Sequence, residues 1–366
     1  MTADRSSNSF SSAEPRAPLV TFALFAYNQE KFIREAVEGA FAQTYEPLEI
    51  ILSDDCSTDR TFEIMQEMAA AYHGPHRVRA VQTPHNLGVV QHVLLRGREA
   101  AGDIVVLAAG DDISLPERVT LHVPCYADAK VWAVCTGFHL IDENGSVISE
   151  NETIPVGFRG IRKFQTYIKK RIPVIQGSTA SYKKDAFNLI DVSDRINFAE
   201  DNLFNFIIPA SGYDIRSIYD PLIMYRVHAA AWANRPQEVR DRHDYEVRSA
   251  NAFEMELEML QFFLNFTWSR HLEEIVDVEV LLKNLAALND LKVWSALSVW
   301  ERIASILRDL LNGRAYALPL KGIRIFGRFP DYWPTRLIVT CLYKYRRYGQ
   351  WKRQRARAQL GSERRS

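Results

Sequence analysis

The chain has 366 residues, of which 47% are apolar and 25% charged, and its 45 Lys+Arg balance its 45 Asp+Glu. That composition excludes wholesale disorder and suits a globular protein with a sizeable core. A net charge of zero argues against a globally basic nucleic-acid binder, so no nucleic-acid partner is expected.

The neutral total hides an asymmetry. Residues 313–366 hold 14 Lys/Arg against 2 Asp/Glu, a net of +12, so the preceding body carries −12. Cys56, Cys125, Cys135 and Cys341 stand far apart with no CxxC pair. This spacing argues against a zinc site or a disulfide framework and fits a reducing compartment. The polar first 17 residues lack the apolar core of a secretory leader and read as disordered. No apolar run of about 18 residues occurs, so no transmembrane helix is expected. A cytoplasmic protein is the expectation.

At roughly 150 residues per domain the length suggests two domains. Leu19 to Phe25 reads as a strand, and Gln29 to Gln43 as a helix with apolar residues at helical spacing. Leu48 to Ser53 is a second strand. Thr61 to Tyr72 is helical, with Phe62, Met65, Met68, Ala69 and Tyr72 on one stripe. Arg77 to Gln82 alternates like a strand, Val89 to Ala101 reads as helix, and Asp103 to Ala108 as a buried strand. This alternation predicts an α/β domain with a mostly parallel sheet and flanking helices, spanning residues 18–235. Pro116 suits a first helical turn, and Pro124 should end or kink that helix. A hairpin is expected around Glu143-Asn144-Gly145. A short helix is expected over Asp201 to Ser211, then two short strands near Ile215 and Leu222. Residues 236–312 read as a helical extension: Phe253, Leu257, Leu260 and Leu264 form a seam, and Val278–Leu291 and Val299–Leu310 continue in that style.

In parallel α/β sheets, ligands bind beyond the carboxyl ends of the strands. Ala26-Tyr27-Asn28 follows the first strand, Asp54-Asp55-Cys56-Ser57-Thr58-Asp59 the second, and Gly110-Asp111-Asp112 the strand at Asp103. An aromatic ring and two carboxylate pairs therefore reach one edge. Hard divalent cations take carboxylate oxygens and bridge them to phosphates, so the set suits a nucleotide diphosphate held through a metal. Each pair could also be a helix cap. Two pairs at corresponding strand ends favour function.

The ordered series of strings resembles the family 2 glycosyltransferases, which use the GT-A nucleotide-sugar-binding fold. The resemblance runs from Pro18 to His228. It is carried by Tyr27-Asn28, Gln43-Thr44-Tyr45, LEIILSDDCSTDRT, Asn86-Leu87-Gly88, LAAGDDISLPERV, FAEDNLF and YDPLIMYRVH. Carried over by position, it implies that Tyr27 and Asp55 contact the nucleotide base, with Asp54 beside them. Asp111 would reach the ribose or the metal, and Asp112 would ligate Mg²⁺ or Mn²⁺ on the diphosphate. His228 would approach the metal or diphosphate. Asp201 would be the general base, with Glu200 beside the acceptor, and Gly177 and Ser178 lie where the family keeps an acceptor-side loop. Asp201 as a cap, His228 as a structural histidine and Gly177-Ser178 as plain loop are the alternatives.

The departures are specific. The metal segment of the family reads Asp-x-Asp-Asp, and Ala109 replaces the first Asp. Phe25 stands where proline is common, and Val93-Leu94 where an Arg-Asn pair is common. The QxxRW signature of processive synthases is missing, because Gln237 to Arg240 lacks the following Trp.

The resemblance implies an inverting, metal-dependent transfer of a sugar from a nucleotide-diphosphate sugar, with uracil the commonest base among the family's donors. The acceptor would be a hydroxyl of a glycan or lipid-linked molecule, in bacterial surface polysaccharide synthesis. Cation charge stabilises the departing diphosphate, and a carboxylate takes the proton of the attacking hydroxyl. Two rivals stand beside this reading. A non-catalytic nucleotide-sugar-binding module is motivated by Ala109. A sugar nucleotidyltransferase would want a Gly-rich basic loop, which Phe25–Lys31 lacks.

The tail mixes Tyr332, Trp333, Tyr343, Tyr345, Tyr348 and Trp351 with Lys and Arg. Basic charge near an anionic membrane contributes about 1 kcal/mol per residue, and aromatic rings favour the interface. Peripheral attachment to the cytoplasmic face of the membrane is one expectation; the alternatives are a solvated tail or one docked on the acidic body, with single-stranded RNA a lesser option. Anionic liposomes should pellet the full chain but not a chain ending at Gly313; equal recovery of both would remove the membrane reading.

Overall fold

The computed structural model describes residues 17–152, 175–190, 196, 198–228, 242–272, 276, 278, 279, 281, 282 and 285, with the backbone alone for 242–254 and 256. The expected N-terminal segment, the 237–240 quartet, the helix over 299–310 and the basic tail lie outside the described residues, as does most of the helix over 278–291.

The first apolar run forms β1 (Val20–Ala26). Val20, Phe22, Ala23 and Leu24 are all fully buried, as a strand covered on both faces requires. β1 lies in parallel between β2 (Leu48–Asp54) and β4 (Ile104–Ala109), and β2 pairs in parallel with β3 (Arg77–Gln82). Between these strands run α1 (Ile33–Phe41), α2 (Thr61–Ala70) and α3 (Val89–Glu99). This half is the parallel α/β unit that the strand-helix alternation predicts. Its core joins Phe22, Leu24, Ile50 and Leu52 of the sheet to Ile33, Val37 and Met65 of the helices. Each such side chain contributes roughly 1.5–3 kcal/mol on burial.

Among the described residues nine strands form one sheet, in the order β3-β2-β1-β4-β8-β6-β9-β5, with β7 paired to β6. The second half mixes directions. β8 (Ala180–Lys183) runs antiparallel to both β4 and β6 (Val131–Ile141). β9 (Asp214–Arg226) is parallel to β6, and the two-residue β5 (Ile113–Ser114) is antiparallel to β9. β7 (Val147–Glu152) closes the expected hairpin. Its turn places Gly145 at φ +84°, and Asp142 accepts hydrogen bonds from the amides of Asn144 and Ser146. α4 (Arg118–His122) follows Pro116, and Pro124 lies in the 3-10 turn Val123–Ala127 that ends it. α5 (Glu200–Ala210) is the helix expected from Asp201.

Two expectations need correction. The first helix starts at Ile33 rather than Gln29, because the amides of Gln29 and Glu30 donate to Thr61 Oγ1 and Asp59 across the loop. The two strands expected near Ile215 and Leu222 are one continuous strand, β9. The ladder with β6 absorbs Pro221 through register shifts around Gly137, which sits opposite it. A Cβ at Gly137 would come within 2.9 Å of the Tyr219 carbonyl, so the approach depends on glycine.

α6 (Arg242–Ser269) spans the expected seam: Leu260 and Leu264 are buried and Leu257 is half-buried, while the Phe253 side chain lies outside the described residues. Phe263 stacks on Phe206 of α5 with ring centroids 3.8 Å apart and planes 2° from parallel. The helix therefore packs on the α/β domain through aromatic faces. No helix among the described residues is long and apolar enough to cross a membrane.

Candidate active site

Register brings the loops after β1, β2 and β4 to one edge: Ala26 is paired with Asp54, and Phe25 with Ala109. The first two loops are laced together. Asn28, at φ 53°, accepts from the Thr58 amide at 2.8 Å, while its own amide donates to Ser57 Oγ at 2.8 Å. Tyr27 stands beside this lacing, 45% exposed, with its ring open to a ligand.

Asp54 and Asp55 are both buried, and their oxygens are taken by the protein. Asp54 accepts from the Ser57 amide, the Ser57 hydroxyl and Gln82 Nε2. Asp55 accepts from Thr83 Oγ1 at 3.0 Å and from the amides of Leu87 and Gly88 at 2.9 Å each. It thus braces the loop that opens α3, whose Gly88 sits at φ +78°. Behind it lies a buried chain: Arg96 Nε donates to Ser53 Oγ, which meets His92 Nε2 at 2.6 Å. Burial pushes the His92 imidazole down to about 4.

The turn after β4 carries the second acid pair. Asp111 Oδ2 lies 3.0 Å from His228 Nε2. Asp112 is buried, and its Oδ1 accepts from the Arg226 amide at 2.9 Å, while its Oδ2 has no hydrogen-bond partner. The Ser178 hydroxyl lies near enough to favour the charged carboxylate but also makes no hydrogen bond. Burial first, then the charge of Asp111, pushes Asp112 up to about 8. A buried bare carboxylate oxygen beside a second carboxylate is an incomplete arrangement that a cation would complete. Among the described residues no three His, Cys, Asp or Glu side chains could hold a metal by themselves. The donor set therefore fits a hard cation whose remaining ligands come from phosphate oxygens and water.

Gln176 to Thr179 forms the facing loop. Arg118, fully buried, ties it to β4: its Nη2 donates to the carbonyls of Leu107 and Ser178 at 2.7 Å each and of Ala180 at 3.3 Å. Asn205 of α5 ties it from the other side. Its amide accepts from the Ile175 amide at 2.9 Å and donates to the Ile175 carbonyl at 3.1 Å. Gly177 lies against Glu200, where a Cβ would overlap Oε1. Glu200 and Asp201 open α5 after Ala199, which offers no side-chain cap. Asp201 Oδ1 accepts from the next amide, Asn202, at 2.6 Å, so it also satisfies one donor of the helix start. Burial raises Asp201, and burial with the Asp201 charge pushes Glu200 up to about 8.

Tyr225 joins these groups. Its phenol is pushed up to about 12 by burial first, then by the charges of Asp112 and Asp111, with Gln176 hydrogen-bonded to it and Asp201 adding to the field. The charges of Asp111, Asp112 and Asp201 thus all act on one tyrosine, while His228 meets Asp111, Ser178 lies by Asp112 and Gly177 lies against Glu200. Asp54 and Asp55 stand on the other side of β1, whose own end leads into Tyr27. β2 and β4 flank β1, so the two acidic turns leave the sheet about 10 Å apart.

Sequence reasoning missed Arg118, Asn205, Tyr225 and Arg226. Arg118, Tyr225 and Arg226 lie inside strings that carry the family resemblance, LAAGDDISLPERV and YDPLIMYRVH. Asn205 left no signal, because an Asn in a helix interior is unremarkable until its partner is known.

The profile of the family described as Glycosyl transferase family 2 matches residues 21–190. EpsE of Bacillus subtilis is 32% identical over 129 residues, 35% of this chain and 46% of that protein. Chondroitin synthase of Escherichia coli is 33% identical over 142 residues, 38% of this chain and 20% of that one. The chain spans about half the length, or less, of these two curated relatives. In three dimensions residues across 90% of this chain match 91% of S. aureus TarS 1-349, solved with UDP-GlcNAc, with a TM-score of 0.53 at 14% identity, a likeness of fold. Residues 21–190 are a glycosyl transferase family 2 domain on a GT-A-like α/β fold.

Proposed function

We propose that the chain transfers a sugar, with inversion, from a nucleotide-diphosphate sugar to a hydroxyl of a glycan or lipid-linked acceptor. The observation that carries this reading is that two acidic centres meet the Gln176–Thr179 loop, Asp112 beside Ser178 and Glu200 against Gly177. One, Asp111-Asp112, has a bare buried oxygen suited to a cation. The other, Glu200-Asp201, lies at a helix start beside a glycine-dependent loop. TarS, similar in fold, was solved with UDP-GlcNAc and with UDP, which supports a nucleotide-sugar donor and makes UDP our choice of carrier. Chondroitin synthase, named for its polymer, supports a place in polysaccharide synthesis.

Asp111 and Asp112 would hold Mg²⁺ or Mn²⁺ on the diphosphate, with His228 orienting Asp111. When bound, the cation supplies charge stabilisation for the departing diphosphate. Tyr27, exposed above the laced loops, would stack on the base, while Asp54 and Asp55 hold those loops in place. Asp201 would take the acceptor hydroxyl's proton as that oxygen bonds to the anomeric carbon. The bond from this carbon to the diphosphate oxygen breaks, and its electron pair leaves with the diphosphate. Burial raises the basicity of Asp201, which suits a general base. Gly177 and Ser178 would line the acceptor side. A lipid-linked acceptor would place the reaction at the cytoplasmic membrane face, where the basic tail could attach.

Asp201→Asn is expected to lower transfer by about 10²-fold or more while leaving UDP affinity within about twofold. Asp112→Ala should abolish the Mn²⁺ dependence of UDP binding. Unchanged turnover in the first, or an unchanged metal response in the second, rejects the corresponding role.

Glu200 yields a pH prediction. The unfolded chain releases this proton near its ordinary value of 4.5, whereas the folded chain keeps it to about 8. Stability therefore falls as pH rises through that window, by at most about 1.4 kcal/mol per pH unit for one proton. Glu200→Gln should flatten the decline of Tm between about pH 5 and 8. A decline as steep as that of the wild type would show that Glu200 is not the group responsible.

A further inference from the structure

We propose that Arg226 is the positioning residue of the Asp111-Asp112 pair, presetting both carboxylates before any cation arrives. The inference rests on reading that pair as the cation site.

Arg226 ends β9 and is almost fully buried. A buried guanidinium costs several kcal/mol unless its donors are met, and an apolar side chain would fill the space more cheaply. Here the donors are met by three other segments of the chain. Nε donates to the Asp111 carbonyl at 2.9 Å. Nη1 donates to the carbonyls of Asp142 and Glu143, in the β6–β7 turn, at 3.3 and 3.2 Å. Nη2 meets Glu35 Oε2 of α1 at 2.7 Å. The same residue's amide holds Asp112 Oδ1. One residue thus grips the backbone of Asp111 and the side chain of Asp112.

His228, two residues further on, grips the Asp111 side chain. The Phe32 ring lies 4.9 Å from the guanidinium carbon and 4.6 Å, centroid to centroid, from the His228 ring, so it packs against both grips. With alanine at position 109, the turn offers two carboxylates, and a two-carboxylate site depends on their preset geometry. The planar fork reaches three segments at once; a lysine ammonium, a single point of charge on a flexible stem, cannot.

The test is calorimetric titration of UDP into the full chain, with Mn²⁺ and with EDTA, alongside thermal melts. Arg226→Lys keeps the charge and loses the fork. It should fold, keep its UDP affinity in EDTA, and lose about tenfold or more of the UDP affinity measured with Mn²⁺. A purely structural role would instead lower both affinities together with Tm, and that result, or an unchanged Mn²⁺ response, overturns the proposal. If Arg226→Lys does not fold, Glu35→Gln decides, because its carboxylate is 46% exposed and only the Nη2 contact changes. It should weaken Mn²⁺-dependent UDP affinity by about threefold or more, and an unchanged value overturns the proposal. A wild-type chain that binds UDP equally with Mn²⁺ and EDTA removes the cation-site reading itself, and this inference with it.

Discussion

Burying carboxylates next to one another is expensive, and the layout of this molecule follows from how each buried acid offsets that cost. Asp54 and Asp55 are met by amides, hydroxyls and a glutamine, so they act as braces between loops. Asp111 is met by His228. Asp112 is met on one oxygen only, and Glu200 holds its proton to about pH 8. The acids that the protein satisfies fully build the frame. The acids that it leaves short are the ones to which the proposed function assigns the cation and the acceptor hydroxyl.

Two buried arginines connect those groups to the sheet. Arg118 donates from Nη2 to carbonyls of β4, of the loop before β8 and of Ala180 in β8, and from Nη1 to the Ser114 hydroxyl, joining the strand that carries the Asp111-Asp112 turn to the Gln176–Thr179 loop. Burial pulls its guanidinium down to about 9, against the pull of Asp112. Arg226 does the corresponding work for the turn after β4, reaching α1 and the β6–β7 hairpin. Neither is free to move without exposing carbonyl groups in the interior, which would cost about 1–3 kcal/mol each. The site is therefore rigid where acids must be placed, and α5, pinned by Phe263 of α6 and by Asn205, carries its pair on a supported helix.

The family assignment agrees with this division. The matched region, residues 21–190, covers the parallel half, the Asp111-Asp112 turn and the Gln176–Thr179 loop. It stops short of α5 and β9, which bring Asp201, Tyr225, Arg226 and His228. Tyr225 and Arg226 come from the mixed half of the sheet, where β9 returns beside β6 and delivers its end to the turn after β4; His228 follows that end, and Asp201 comes from α5.

Much of the fold was legible in the chain itself. Apolar runs of strand length alternating with helical spacing dictate a parallel α/β unit, because each run must be buried on both faces. Polar residues after those runs had to emerge at one edge. The sequence alone also marked both acid pairs and the FAEDNLF segment. Tertiary structure decided which acids are satisfied and which are left short, since that depends on donors distant in sequence: Thr83 and Gly88 for Asp55, and the Arg226 amide, 114 residues away, for Asp112. It also merged two expected strands into β9 and started α1 late. In both cases a neighbouring strand or loop met hydrogen-bonding groups that no local pattern can foretell.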